Sequence, residues 1–138
     1  MTPGIALEQR THTRINARLC GEPIELAPGW AQVALALTPE MAADDRGLVH
    51  GGFVFGLADY AAMLAINHPN VVLGACEMRF LKPVRVSDRL VAWARLDAEQ
   101  GKKRFVKVDV RRGEEVVATA TCTCFVPDRH VLDPAPSS

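Results

Sequence analysis

The stretch of sequence that decides the fold is GLVHGGFVFGLADYAAMLAI, residues Gly47–Ile66. The part after His50 has no proline and no strand-like alternation, and it is rich in alanine and leucine, so we expect a helix over about residues 51–67. An Asn-His-Pro sequence beginning at Asn67 ends it. Because this helix is apolar almost all round, we expect it to be buried on nearly every side.

The segments around this helix have the patterns of strands. Alternation of apolar and polar residues predicts a half-buried strand at Trp30–Thr38. Four more strands, separated by turn residues, are expected at about residues 71–82, 88–98, 103–112 and 115–126. An antiparallel sheet that covers a helix apolar on every face curls around it, and one face or edge of the sheet then needs a partner. We therefore expect a homo-oligomer.

The ends of the chain carry weaker patterns. Residues Glu8–Leu19 favour a short helix with a thin apolar stripe, which Gly21 would end. Residues 1–7 and 132–138 show no periodicity, and we expect both to be flexible. The whole chain, 1–138, is of the size of a single domain.

Composition narrows the functional classes. Of 138 residues, 49% are hydrophobic and 23% are charged, as in globular and unlike disordered proteins. Equal numbers of basic and acidic residues argue against a nucleic-acid partner. The polar start Met1–Leu19 does not resemble a secretory signal, and the apolar run Gly51–Ile66 is too short and too rich in glycine and alanine to span a membrane. We expect a cytoplasmic protein without a membrane partner.

The four cysteines do not form a metal-binding or disulfide pattern. They contain no C-x-x-C pair and have no histidine nearby in sequence: Cys20, Cys76, Cys122 and Cys124. We expect buried thiols that pack as small apolar groups, and we expect no metal and no other cofactor.

Asp59 is the only charged residue between His50 and Asn67. A buried, unpaired carboxylate costs several kcal/mol or becomes protonated, so its position needs a reason. One interpretation is that Asp59 points to solvent or caps a neighbouring loop. Its apolar flanks, Leu57-Ala58 on one side and Tyr60-Ala61-Ala62 on the other, offer no polar face to share, and we favour a functional role.

The triplet His50-Gly51-Gly52 begins the helix. Two glycines leave the first backbone N–H groups uncovered at the positive end of the helix dipole, where they can bind an anion or stabilise an oxyanion. The simpler alternatives are that the glycines only permit a tight turn and that His50 is a structural histidine.

These two features are too far apart to act on one substrate within one chain. Nine helical residues separate His50 from Asp59, which is about 13 Å along the axis. Two copies related by a two-fold axis, with antiparallel helices, can bring Asp59 of one copy against the Gly51 amide of the other. A catalytic pair made of these groups would therefore lie between subunits.

The sequence from Gly47 to Asp59, followed by Phe80-Leu-Lys-Pro83 and by a Ser-Asp-Arg-Leu turn into a strand, resembles the hotdog-fold acyl-CoA thioesterases. It is most similar to the phenylacetate-degradation type, which has an H-G-G-x6-Asp/Glu spacing. The resemblance runs from about Ala27 to Val126. It implies an α+β hotdog fold, in which an antiparallel β-sheet wraps around one long central α-helix, and assembly into homodimers or homotetramers.

The resemblance also implies a reaction, the hydrolysis of an acyl-CoA thioester to a carboxylate and free coenzyme A. Asp59 would act as nucleophile or general base, and the Gly51 amide of the facing subunit would receive the thioester oxygen. His50 and Gly52 would shape that end of the site. One loop resembles the segment that meets the phosphates of coenzyme A in relatives, a solvated turn being the alternative: Gln100, Gly101, Lys102, Lys103 and Arg104.

Two positions depart from the family pattern. Relatives often carry an asparagine in the loop before the histidine, where this chain has Asp44 and Asp45. Some use a serine or threonine after the helix to hold water, where this chain has Leu73 and Gly74. The group that positions the water is therefore open, and two other functions stay open with it: a non-catalytic acyl-CoA binding or sensing protein, and a thioesterase for acyl carrier protein.

The acyl group is not determined by the sequence. Four residues of the helix fit either an acyl pocket or the core: Phe53, Phe55, Tyr60 and Met63.

Overall fold

The computed structural model describes residues 4–135, so the flexibility expected for residues 1–3 and 136–138 lies outside it. The elements are helix α1 (Ala17–Cys20), strands β1 (Glu22–Ala27) and β2 (Trp30–Ala36), a 3₁₀ turn (Pro39–Met41), helix α2 (Gly51–Ile66), and strands β3 (Val72–Phe80), β4 (Arg89–Gln100), β5 (Lys103–Arg112) and β6 (Glu115–Phe125).

The six strands form one antiparallel sheet in the order β1-β2-β4-β5-β6-β3, and α2 packs against its inner face. Alternate strand residues point inward and are buried, among them Val33, Leu90, Val108 and Cys122. The predicted architecture, a sheet wrapped around one long helix, is confirmed. Strand β1 was not predicted, because Pro23 and Pro28 interrupt its pattern.

Helix α2 begins at Gly51, as expected, and ends one residue earlier than expected. Asn67 takes a left-handed conformation with φ 53°, and its N–H bonds to the Met63 carbonyl at 2.8 Å. A left-handed residue stops the helix and satisfies one of its last carbonyls.

The expectation that α2 is buried on nearly every side is wrong for one face. Gly52, Phe55, Gly56 and Asp59 all stay partly exposed. They are spaced i, i+3, i+4 and i+7, which puts them on one stripe of the helix. We call this stripe the open face of α2. On this side of the helix, neither the sheet nor any other described segment covers α2 fully.

The helix predicted at Glu8–Leu19 is wrong over most of its length, since only Ala17–Cys20 is helical. The backbone of the preceding residues is held by side chains from elsewhere. The Asn67 side chain accepts from the Arg10 N–H at 2.8 Å and donates to the Glu8 carbonyl at 2.9 Å. These tertiary contacts prevail over a weak local helical preference.

The first described residues pair with β1 instead of extending freely. The Ala6 N–H donates to the Leu26 carbonyl at 2.9 Å, and the Leu26 N–H donates to the Gly4 carbonyl at 3.1 Å. After β6, the chain continues in turns up to residue 135.

Strand β3 lies at one edge of the sheet, and none of its nine residues is fully buried. It carries a bulge at Gly74, over which the Phe125 ring lies so closely that a Cβ there would overlap the ring. An exposed edge strand of this length invites pairing with another chain.

Candidate active site

Asp59 lies on the open face of α2, and its carboxylate is largely withdrawn from solvent. The Oδ1 atom is buried and has no hydrogen-bond partner in residues 4–135. Burial raises the pKa of Asp59, and the nearby His12 acts weakly in the opposite direction. This is not the solvated carboxylate of an exposed helix face, and it has the raised pKa that suits a general base.

The other titratable groups close to Asp59 are thiols. Burial raises the pKa of all four cysteines, and the negative charge of Asp59 raises each further: Cys20, Cys76, Cys122 and Cys124, the last to about 12. The thiols are free and stay neutral at ordinary pH. Cys122 and Cys124 are buried, as expected from the sequence, but Cys20 and Cys76 are only half-buried because they lie at the edge of the core. Among the titratable groups near Asp59, His12 is therefore the one that carries a positive charge when it is protonated.

The start of α2 presents backbone N–H groups. The Phe53 N–H folds back on the His50 carbonyl at 3.1 Å, whereas the amides of Gly51 and Gly52, like those at any helix start, have no acceptor within the helix. The exposed His50 side chain does not cap the helix; its ring packs edge-on against Phe53 and over Gly52. A Cβ on residue 52 would lie 3.0 Å from the ring of His50, an exposed side chain that could move aside.

A small apolar cavity adjoins the Gly51 amide. It has a volume of about 150 Å³ and lies between α2, the end of β3 and the loop that follows. The Phe80 ring, itself 56% exposed, approaches Gly51 so that a Cβ there would be 3.4 Å from it. This is a contact that an alanine could make without strain.

A larger cavity of about 420 Å³ adjoins the small one, and both are lined by Leu48, Lys82, Pro83 and Val84. Four cations line it: Arg46, Lys82, Arg85 and Arg112. Arg112 is bonded to Asp88 and Glu115, but the other three form no salt bridge in the described part of the chain. Sequence analysis missed this group because its members come from three separate segments that only the fold brings together.

The cationic loop singled out from the sequence forms the tight β4–β5 hairpin, with Gly101 at φ 58°. Each of its cations already has a partner in the chain. Lys102 bonds to Asp128 at 3.1 Å, Arg104 lies 3.4 Å from Glu99 and donates to the Gly101 carbonyl, and Lys103 lies over the Phe125 ring. Exposed pairs of this kind are weak, so they reduce rather than abolish the capacity to bind phosphate.

The remaining candidates divide between core and surface. Tyr60 and Met63 are buried in the core, whereas Phe53 and Phe55 stay half-exposed. The Asp44 side chain stabilises its own loop by accepting hydrogen bonds from the N–H groups of Arg46 and Leu48 at 2.9 and 3.1 Å.

Within one chain, the structure does not bring the two catalytic candidates together. Gly51 and Asp59 lie eight residues apart on the same helix, which corresponds to about 12 Å along its axis.

Two other features are absent from residues 4–135. No three metal-ligating side chains cluster there, and none of the helices has the length and apolar character of a membrane span.

Comparison with known proteins identifies the class. The sequence profile of the thioesterase superfamily matches residues 46–123, which cover all of α2, strands β3 to β5 and most of β6. The chain therefore belongs to the thioesterase superfamily, and its architecture is the hotdog fold of that superfamily.

Solved structures share this fold over about four-fifths or more of the chain. The crystal structure of an uncharacterized protein from Pyrococcus horikoshii is 53% identical, with a TM-score of 0.91 over 96% of this chain and 100% of that one. A mutant of the phenylacetic acid degradation protein PaaI from Thermus thermophilus is 32% identical, with a TM-score of 0.72 over 78% and 93%. The resemblance to the phenylacetate-degradation type is thus confirmed.

Curated relatives carry other names. A methylthioribose-1-phosphate isomerase of Aquifex aeolicus is 50% identical over 111 residues, and the transcription factor FapR of Caldanaerobacter subterraneus is 29% identical over 110 residues. The matched region is 80% and 79% of this chain, but only 24% of the isomerase and 55% of the transcription factor. The chain therefore spans between a quarter and about half of the length of these relatives, and the match does not carry over their activities.

Proposed function

We propose that this protein is an acyl-CoA thioesterase whose active site forms between two copies of the chain. The observation that carries the proposal is the Asp59 carboxylate, buried at Oδ1 without a partner on the open face of α2. A buried acceptor of this kind needs a group that satisfies it, and the described residues supply none.

A second copy would supply the missing half of the site. The open face of α2 and the exposed edge of β3 are both unpartnered in the part of the chain that the structure describes, and an isologous interface can cover both at once. Antiparallel packing of two α2 helices then places the Gly51 amide of one subunit near Asp59 of the other. We propose a homodimer, or a homotetramer built from two such dimers, acting in the cytoplasm.

The proposed reaction needs only these groups. The thioester oxygen accepts a hydrogen bond from the Gly51 N–H at the positive end of α2, which stabilises the oxyanion as it forms. Asp59 as general base takes a proton from water, whose oxygen adds to the thioester carbon. The tetrahedral intermediate then expels the coenzyme A thiolate and leaves a carboxylic acid. Asp59 could instead attack the thioester carbon directly and expel the coenzyme A thiolate, forming an anhydride that water hydrolyses; the raised pKa of Asp59 is compatible with both routes.

The substrate would be held beside this pair. His50 and Gly52 shape the helix start, and the apolar cavity at Phe80 suits the narrow arm that carries the thioester. For the phosphates we propose the β4–β5 hairpin on the resemblance, residues Gln100, Gly101, Lys102, Lys103 and Arg104, with the four-cation cavity as its competitor. The same arm occurs in acyl carrier protein, which stays an alternative substrate.

The experiment is a panel of acyl-CoA thioesters, with release of free thiol followed by a thiol reagent. Asp59→Asn keeps the size of the side chain and removes the base, so we expect turnover to fall by about 10²–10⁴-fold with fold and oligomeric state unchanged. Asp109→Asn, on the outer face of β5, is the matched control. Hydrolysis by Asp59→Asn at the wild-type rate would exclude this mechanism.

The second candidate function is a non-catalytic acyl-CoA sensor. It is favoured by the likeness to proteins named as transcription factors and by the absence of a hydroxyl at Leu73 and Gly74. Binding of an acyl-CoA measured by calorimetry, with no thiol released over hours by wild-type protein, would establish this function and exclude the first.

A further inference from the structure

The segment before α1 carries a side chain that the proposed mechanism has not used. Residues 8–12 are clamped onto the end of α2 by the Asn67 contacts described above and by Gln9. The Gln9 side chain donates to the Tyr60 hydroxyl at 3.0 Å and to the carbonyls of Thr11 and His12 at 2.9 and 3.3 Å. Thr11 is 6% exposed, so this segment is a fixed part of the fold.

His12 is held in an unusual conformation at the end of this clamp. Its φ of 54° lies in the left-handed region, which non-glycine residues seldom adopt and which tertiary contacts must enforce. Its Nδ1 lies 2.8 Å from the Thr11 hydroxyl, and its half-buried ring lies 6.3 Å from that of Tyr60, the residue next to Asp59. With Nδ1 bonded, only Nε2 is left free to act.

The surroundings of Asp59 single out His12 among the titratable groups. Cys20 from α1, Cys76 from β3, and Cys122 and Cys124 from β6 interact electrostatically with the carboxylate, and all are neutral. His12 and Asp59 act on each other electrostatically, yet no direct hydrogen bond joins them. Burial lowers the pKa of His12, so at neutral pH the ring is uncharged and can hold a water.

We propose that His12 is the residue that positions the attacking water against the Asp59 carboxylate, with the Thr11 hydroxyl fixing the orientation of the ring. The inference rests on the proposed function and supplies the group that Leu73 and Gly74 lack. The Thr11 hydroxyl donates to Nδ1, and Nε2–H donates to the water oxygen. The water in turn donates to Asp59, which takes its proton when the oxygen adds to the thioester.

The test compares His12→Gln with Asp59→Asn on the best acyl-CoA of the panel, over pH 5–9. We expect His12→Gln to lower kcat by about 10–100-fold with little change in KM, because the water is misplaced while the ester is still bound. At acid pH, where the His12 ring takes up a proton, its charge lowers the pKa of Asp59, so its loss also moves the acid limb of the rate profile to higher pH. His130→Gln, an exposed histidine far along the chain, is the control and should match the wild type.

Three further variants separate positioning from folding. Thr11→Val removes the hydroxyl and should give part of the His12→Gln loss, whereas Thr11→Ser keeps it and should stay near the wild-type rate. In the Asp59→Asn background, His12→Gln should cause little further loss, because the water is no longer activated.

The outcomes of these experiments distinguish the two proposals. If Asp59→Asn is inactive and His12→Gln retains the wild-type rate and pH profile, the role of His12 is overturned while the thioesterase function stands. If the wild type hydrolyses no thioester, both fall. Equal losses in Thr11→Val and Thr11→Ser, or additive losses in the double variant, would assign His12 a merely structural role.

Discussion

The start and the middle of helix α2 carry the two halves of the candidate site, and they are built in different ways. At the start, the chemistry belongs to the backbone of Gly51 and Gly52, open to solvent beside cavities that no side chain fills. In the middle, it belongs to the Asp59 side chain, surrounded by thiols from three other elements and by His12 from the segment before α1. The first half follows from local sequence, whereas the second exists only because distant segments converge.

The strongest test of this difference removes one backbone donor. Gly51→Pro deletes the N–H but keeps the helix, because proline is accepted at the first helical position and His50, with ψ 131°, already has the extended conformation that precedes proline. We expect kcat to fall by about 10²–10³-fold. Gly51→Ala retains the N–H and should keep most of the activity; equal loss in both variants would assign the effect to crowding against Phe80.

The distance between the two halves predicts complementation. Gly51→Pro and Asp59→Asn homodimers should each be nearly inactive, but a heterodimer of the two contains one intact site. A statistical mixture after unfolding and refolding together should therefore recover about a quarter of the wild-type activity. Mixtures that stay as inactive as their components would place both groups in the same subunit's site.

The enclosure of Asp59 predicts how stability depends on pH. Its folded pKa lies above the unfolded one, so protonation favours the folded state, and this stabilisation is lost as pH rises through the folded pKa. Asp59→Asn should therefore be more stable than wild type at neutral pH, the difference shrinking toward pH 4. Thermal unfolding of both proteins across this range checks it, and a difference independent of pH would contradict it.

The smallest expected effect concerns the two basic regions. Charge reversal in the cavity beside α2, Lys82→Glu with Arg85→Glu, should raise KM several-fold and weaken its salt dependence, because these cations have no partner in residues 4–135. The matched pair at the hairpin, Lys102→Glu with Lys103→Glu, should raise KM less, because Asp128 and the Phe125 ring already interact with those two cations. The reverse order would favour the hairpin as the phosphate site.

Much of the fold was accessible from the sequence. The unbroken apolar run predicted α2 to within one residue, and alternation predicted five of the six strands, because each of these patterns reflects a regular element meeting one core. The prediction of a helix at Glu8–Leu19 failed because side chains form the hydrogen bonds to the backbone at its start. Residues 8–16 are not helical, since Gln9 and Asn67 satisfy their backbone groups from outside the segment.

The site was accessible only in part. Asp59 was recognisable as a charge in an apolar run, and Gly51 as a bare helix start, because both signals are local. The four-cation cavity and His12 were not recognisable, since their members lie far apart in sequence and their neighbours are set by packing.

The sequence by itself determined that a long apolar helix lies against an antiparallel sheet, because the spacing of apolar residues along the chain distinguishes helices from strands. Only the tertiary structure decided which stripe of that helix stays open, and which groups surround the carboxylate on it. The physical reason is that burial and electrostatic coupling depend on distances between segments, and those distances exist only once the sheet has closed around the helix.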